Sequence, residues 1–312
     1  MRFNPKARLD SSQIEDRTGG GGGSRGGTSL PIKAGGGIGG LVLVIALAIF
    51  APDLLDGSGT TSSDSSQGQS QTQGSGDFAA CERDADLANS TRECRLVAIT
   101  NAVQAYWADA YPQQTGNRYQ EIRTVPFSQA VTTGGCGQAT SDTGPFYCPR
   151  DQRVYLDLTF FDTVLRQLGG NDTAFTEAYV VAHEYGHHIE NLMGVLGRVR
   201  SRSGPNSDSV KLETMADCLA GVWTRSAATV KDADGNTFIS DLTRDDIDEG
   251  IDAAKVVGDD SIQERTQGRI NPEGWTHGSS RQRIAAFDVG LNRGTIEACN
   301  FFRAGNRNYP EA

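Results

Sequence analysis

The chain contains only four histidines, and three of them (His183, His187 and His188) fall within six consecutive positions. They belong to the run Val180-Val181-Ala182-His183-Glu184-Tyr185-Gly186-His187-His188-Ile189, an H-E-x-x-H pattern with apolar flanks and no proline. In a helix of 3.6 residues per turn, His183 and His187 stand one turn apart on one face. Both imidazoles can then reach a single metal ion. Glu184 projects beside that face, where it can hold a water next to the ion without binding the ion itself. His188 points off the face and reads as structural. A stripe at helical spacing (Phe175, Ala178, Tyr179, Ala182, Gly186, Ile189, Met193) runs through the same segment, so the ligand face borders a core.

A catalytic zinc normally takes three protein ligands, and this motif supplies two. The extension x-x-G-x-x-H is absent, because Glu190 stands where its glycine would be and Met193 where its histidine would be. Glu190 shares the ligand face, yet three ligands stacked over two turns of one helix converge poorly on one ion. Glu213 is the better candidate. It opens a second helical segment, Leu212 to Trp223, and shares a face with Asp217 at i and i+4. Glu213 reads as the third ligand, and Asp217 as the acceptor for the free ring N–H of a ligand histidine. His277 lies in the turn Trp275-Thr276-His277-Gly278-Ser279-Ser280, before a helix that Ser279 or Ser280 can cap. It reads equally well as a donor to an oxyanion or as a surface residue of the turn.

The run H-E-Y-G-H-H, then L-E-x-x-A-D-C-x-A-G-V-W, is accompanied by G-P-F-Y-C-P and V-Y-L-D upstream and T-H-G-S-S-x-Q-R downstream. Together these resemble the bacterial membrane-anchored neutral zinc metallopeptidases, over the anchor and essentially all of residues 79–312. The resemblance implies a thermolysin-like site of two histidines and one glutamate holding one Zn²⁺ per chain, and it carries little about substrate. The expected fold is α+β: a mostly helical zincin-like domain with a small sheet, behind a single transmembrane helix. The expected activity is hydrolysis of peptide or protein substrates, with Glu184 as general base and His277 as its candidate helper. A silent zinc-fold scaffold binding an envelope partner, or a hydrolase of another amide, are the rivals.

Around these residues the chain divides by composition. Residues 1–33, with a glycine run and few large apolar side chains, read as a disordered tail. Residues 34–52 carry 18 uncharged positions, Ala34 to Ala51, about the thickness of a bilayer core when helical, and read as an uncleaved anchor, with a cleaved signal peptide as the rival. Six basic residues precede this stretch, and residues 53–78 hold none. The positive-inside rule then places the N-terminus in the cytoplasm and the following domain outside, in the periplasm or extracellular space. Residues 53–78, rich in Ser, Gly and Gln, read as a flexible linker, and 79–312 as the zinc domain. A net charge of −10 argues against nucleic acid as a partner, leaving peptide substrate and, through residues 34–52, the lipid bilayer.

All six cysteines follow the apolar stretch, as an oxidising compartment requires. Cys136 and Cys148 flank a glycine-rich loop they can close. Cys81 can meet Cys94 only if the helix breaks near Asn89-Ser90-Thr91, which leaves Cys218 for Cys299. Residues 78–110 read as helix, Tyr119 to Val131 as extended chain, Arg153 to Leu158 as a strand and Phe160 to Leu168 as a short helix. The Arg153 strand could serve as an edge for an extended peptide. Residues 230–270, acidic and polar with a helix near Asp246 to Val257, show no evident chemistry.

Overall fold

A computed structural model describes residues 1–19 and 77–312. In chain order the principal elements are β1 (Arg2–Phe3), α1 (Ala80–Arg83), α2 (Arg92–Thr115), β2 (Arg123–Phe127), β3 (Ala130–Thr132), β4 (Gln138–Thr140), β5 (Phe146–Cys148) and β6 (Arg153–Asp157). They continue with α3 (Ala174–Leu192), α4 (Asp208–Ser226), β7 (Ile239–Asp241), α5 (Arg244–Val256), α6 (Asp259–Gln267), α7 (Ser280–Arg293) and α8 (Ile296–Cys299). Helix dominates and the strands are short, as expected for an α+β domain. The expected short helix after β6 is a π-helical turn, Phe161–Leu165.

Helices α3, α4 and α7 form the centre. Thr173 caps α3, its Oγ1 accepting from the Thr176 N–H at 3.2 Å, and Ser207 caps α4 in the same way. The capping box of Ser279 and Gln282 opens α7. Each cap satisfies an orphan N–H and fixes where its helix begins, and hence which side chains face inward. The helices approach closely because glycine permits it. A Cβ on Gly186 would lie 2.9 Å from the Ala216 carbonyl oxygen, and one on Gly221 would lie 2.2 Å from that of Phe287. Arg92 and Arg95 on α2 grip Glu177 on the first turn of α3 at 3.0 and 2.9 Å, fixing that helix against α2.

The main sheet has the order β2-β6-β5, with β6 parallel to β2 and antiparallel to β5. The Arg153 strand is therefore central. Both its edges are paired, so it cannot receive an added peptide; β5 is the outer strand nearest α3. Its two faces also differ from a half-solvated strand. Val154 and Leu156 join the main core, and Tyr155 joins a second cluster with Val125, Phe127 and Phe146, roofed by the β3–β4 hairpin.

The three disulfides are those expected: Cys81–Cys94, Cys136–Cys148 and Cys218–Cys299, with Cα separations of 5.2, 5.9 and 5.5 Å. The helix does break before α2, first at Asp84 and again at Ser90-Thr91, which lets Cys81 fold back on Cys94.

The amino terminus departs from expectation. Residues 1–19, taken as part of a disordered tail, are ordered against the domain, with Phe3, Leu9 and Ile14 buried. Composition misses this because the segment is held mainly through its backbone: β1 pairs with β7, and residues 14–17 pair with the outer edge of β2. Among the described residues no helix is long and apolar enough to cross a membrane. The apolar stretch 34–52 and linker residues 53–76 lie outside the described residues.

Candidate metal centre

Helix α3 turns His183 and His187 toward α4, and Glu213 on the second turn of α4 meets them. One Glu213 oxygen lies 3.3 Å from His183 Nε2 and 3.6 Å from His187 Nε2. One ligand atom from each of the three residues lies within 4.8 Å of the others, a spacing that can hold a metal ion. All three side chains are buried.

What stands behind the imidazoles matters as much. His183 Nδ1 lies 2.8 Å from Asp217 Oδ1, and His187 Nδ1 lies 2.8 Å from Glu190 Oε2. Each carboxylate is placed to take the Nδ1–H of its ring, which in the neutral imidazole leaves the Nε2 lone pair on the Glu213 side. Glu190 is thus not among the clustered ligand atoms; it is the counterpart of Asp217, reaching the back of its own helix's second histidine.

Asp217 is held from three sides. It accepts from Tyr179 Oη at 2.5 Å and takes two bonds from Arg283, Nε to Oδ2 at 2.8 Å and Nη2 to Oδ1 at 3.0 Å. This fork fixes the carboxylate plane and hence the His183 ring. Burial alone would raise the Asp217 carboxyl, but Arg283 and His183 hold it well below the usual carboxylate range.

Four carboxyl groups, those of Glu184, Glu190, Glu213 and Asp217, crowd the two imidazoles, and Arg283 pairs with Asp217. Burial would depress His183, yet Asp217 and Glu213 push its proton affinity up to about 9. Burial opposes ionisation of Glu213, but His277, His187 and His183 hold its carboxyl well below the ordinary value. Two imidazoles whose Nε2 atoms meet one carboxylate form a donor set that fits Zn²⁺.

Glu184 lies one position further round α3, outside the ligand cluster. Its Oε2 is buried and has no hydrogen-bond partner among the described residues. Burial raises its carboxyl above the ordinary value, tempered by His183 and His187. It lines a cavity of about 100 Å³ together with His183, His187, Glu213, His277 and Arg283. The opposite wall is apolar, built from Phe160, Leu165, Leu168, Val257 and Ile262.

His277 lines the cavity, buried, and so is not a surface turn residue. Its turn is shaped by Asp259 at the start of α6, whose Oδ2 accepts from the N–H groups of Thr276, His277 and Gly278 at 2.7, 2.7 and 3.0 Å. The region 230–270, read as chemically blank, therefore supplies both the turn's anchor and part of the apolar wall. His188 faces away, as expected: Nε2 donates to the Gln120 carbonyl at 2.7 Å and Nδ1 lies 3.0 Å from Tyr147 Oη.

Sequence reading missed Arg283, Tyr179 as a partner of Asp217, and Asp259. Arg283 had a signal. It shares one helix face with Ala286, Phe287 and Gly290, at i+3, i+4 and i+7. A charge on an apolar face implies a buried partner. Asp259 had none, since an acid at a helix start is ordinary.

The family described as "Putative neutral zinc metallopeptidase" matches residues 1–302. An uncharacterized protein of Mycobacterium tuberculosis is 44% identical over 232 residues, covering 74% of this chain and 77% of the relative. YpfJ, an uncharacterized protein of Escherichia coli K12, is 34% identical over 307 residues, covering 95% of this chain and 98% of its own. No solved structure gives a significant match.

Proposed function

The chain belongs to the neutral zinc metallopeptidase family, and from that premise we propose that it is a zinc-dependent endopeptidase working in an oxidising compartment outside the cytoplasm. The observation that carries this reading is the convergence of His183, His187 and Glu213 ligand atoms, with Glu184 unpartnered beside them. Three disulfides support the compartment, since thiols in the cytosol are kept reduced.

His183, His187 and Glu213 would hold one zinc per chain, with Asp217 and Glu190 fixing the imidazole tautomers. A zinc held there would supply Lewis acidity toward the scissile carbonyl and make an attacking water more acidic beside Glu184. Glu184 takes the proton from the attacking water at its free Oε2 and delivers it to the departing amine. His277, held by the Asp259 turn, donates toward the carbonyl oxygen as charge develops there. The apolar wall accepts a hydrophobic side chain of the substrate and excludes water around Glu184.

The test is metal analysis and peptide hydrolysis on the full chain. One zinc per chain, with cleavage of a casein-type substrate that chelator abolishes and zinc restores, is expected. Stoichiometric zinc with no hydrolysis of any peptide would favour a binding scaffold instead, and absence of metal affinity would overturn both.

A further inference from the structure

The amino-terminal arm, residues 1–19, lies against the same body that carries the metal centre, and its attachment is built at four places. β1 pairs antiparallel with β7, and the Asn4 N–H donates to the Phe238 carbonyl at 3.0 Å. Residues 14–17 extend the main sheet: Glu15 and Arg17 donate to the Thr124 and Pro126 carbonyls, each at 2.9 Å. Two asparagines of the domain each grip one arm residue by both backbone groups. Asn89 accepts from the Phe3 N–H at 2.9 Å and donates to its carbonyl at 3.1 Å; Asn101 does the same for Asp10 at 2.8 and 3.0 Å. Glu15 on the arm meets Arg153 on β6 at 2.9 Å.

These contacts satisfy backbone groups on both partners, cover the β2 edge and bury Phe3 and Ile14. An uncovered β2 edge would present a row of open donors and acceptors to other chains. The arm thus covers the outer edge of β2 through two parallel bridges, Ile14 to Thr124 and Arg17 to Phe127, supplied from the other end of the sequence.

This has a topological consequence. Residues 1–19 and 77–312 share this body, and in the sequence the apolar stretch 34–52 falls between them. A single crossing by that stretch would put arm and domain on opposite faces of a bilayer, for partners from one chain or from two copies. We infer that residues 1–19 lie in the same compartment as the metal centre, docked along the outer edge of β2. This holds whether or not the site proves to be a peptidase.

Arg2 and Asp241 are exposed and are paired Cα partners, close enough for a disulfide. The test makes the double variant Arg2→Cys with Asp241→Cys, and each single variant, in the full-length chain, in membranes prepared with thiols blocked. The expected result is a cross-link between positions 2 and 241 by peptide mapping, in the same molecules that carry Cys218–Cys299. Each single variant should also label with a membrane-impermeant maleimide from the same side. Molecules with the native Cys218–Cys299 bond but no new cross-link, or single variants that label from opposite sides, would overturn the inference.

Discussion

The metal centre and the amino-terminal arm are held on one domain by different means. At the centre, buried side chains fix one another: Arg283 holds Asp217, Asp217 holds His183, and Glu190 holds His187. On the arm, backbone groups bond to a strand edge and to two asparagine amides, and the charges that help lie nearer to water. Removing one member of the centre strands a buried charge, whereas the arm can loosen one contact at a time. The difference separates what tunes chemistry from what completes a sheet.

The comparison sharpens first at Asp217. Asp217→Asn leaves Arg283 buried without its counter-charge, so the expected loss is about 3 kcal/mol of stability, with metal affinity falling about 10- to 100-fold. Thermal unfolding and zinc titration check both. Phe3→Ala comes next. It costs up to about 3 kcal/mol as a buried aromatic, but the loss is capped by the docking free energy of the arm and leaves zinc affinity unchanged. Hydrogen exchange confined to β1 and β7 is the signature. Glu190→Gln is expected to weaken zinc about tenfold with a smaller stability loss than Asp217→Asn, because no arginine is stranded.

Acid should separate the two regions last and most mildly. Three carboxylates at the arm interface are depressed in the folded chain. Burial would raise each, but Arg17 and Arg153 hold Glu15 down, the Arg8 N–H and neighbouring amides hold Asp232 down, and the Met1 amine and Thr243 hold Asp246 down. Groups with depressed carboxyl pKa values bind fewer protons folded than free. Their contribution is present above the ordinary carboxylate range of about 4 and is lost as pH falls through the folded values. Arm amides should therefore lose exchange protection, after correction for intrinsic rates, as pH falls below about 4. Equal protection at pH 7 and in acid would contradict the assignment.

The centre was legible because spacing encodes geometry there. One helical turn separates His183 from His187, and Glu213 and Asp217 share a face, so the sequence pattern already implies convergence. Cysteine pairing was legible through the helix break at Ser90-Thr91. The arm was not, since backbone pairing leaves little trace in composition and its partners lie far along the chain. The Arg153 strand reads the same whether it is central or an edge, because the β2 and β5 pairings that enclose it are not local. Asp259 acts through backbone N–H groups and looks like any acid at a helix start.

The most direct test of the central claim is zinc content and peptide cleavage by Glu184→Gln beside the wild-type full chain. The expected variant keeps one zinc per chain and loses cleavage by about 10²- to 10⁴-fold. A variant that cleaves as fast as wild type would contradict the role given to Glu184 and, with it, the reading of this site as a peptidase centre.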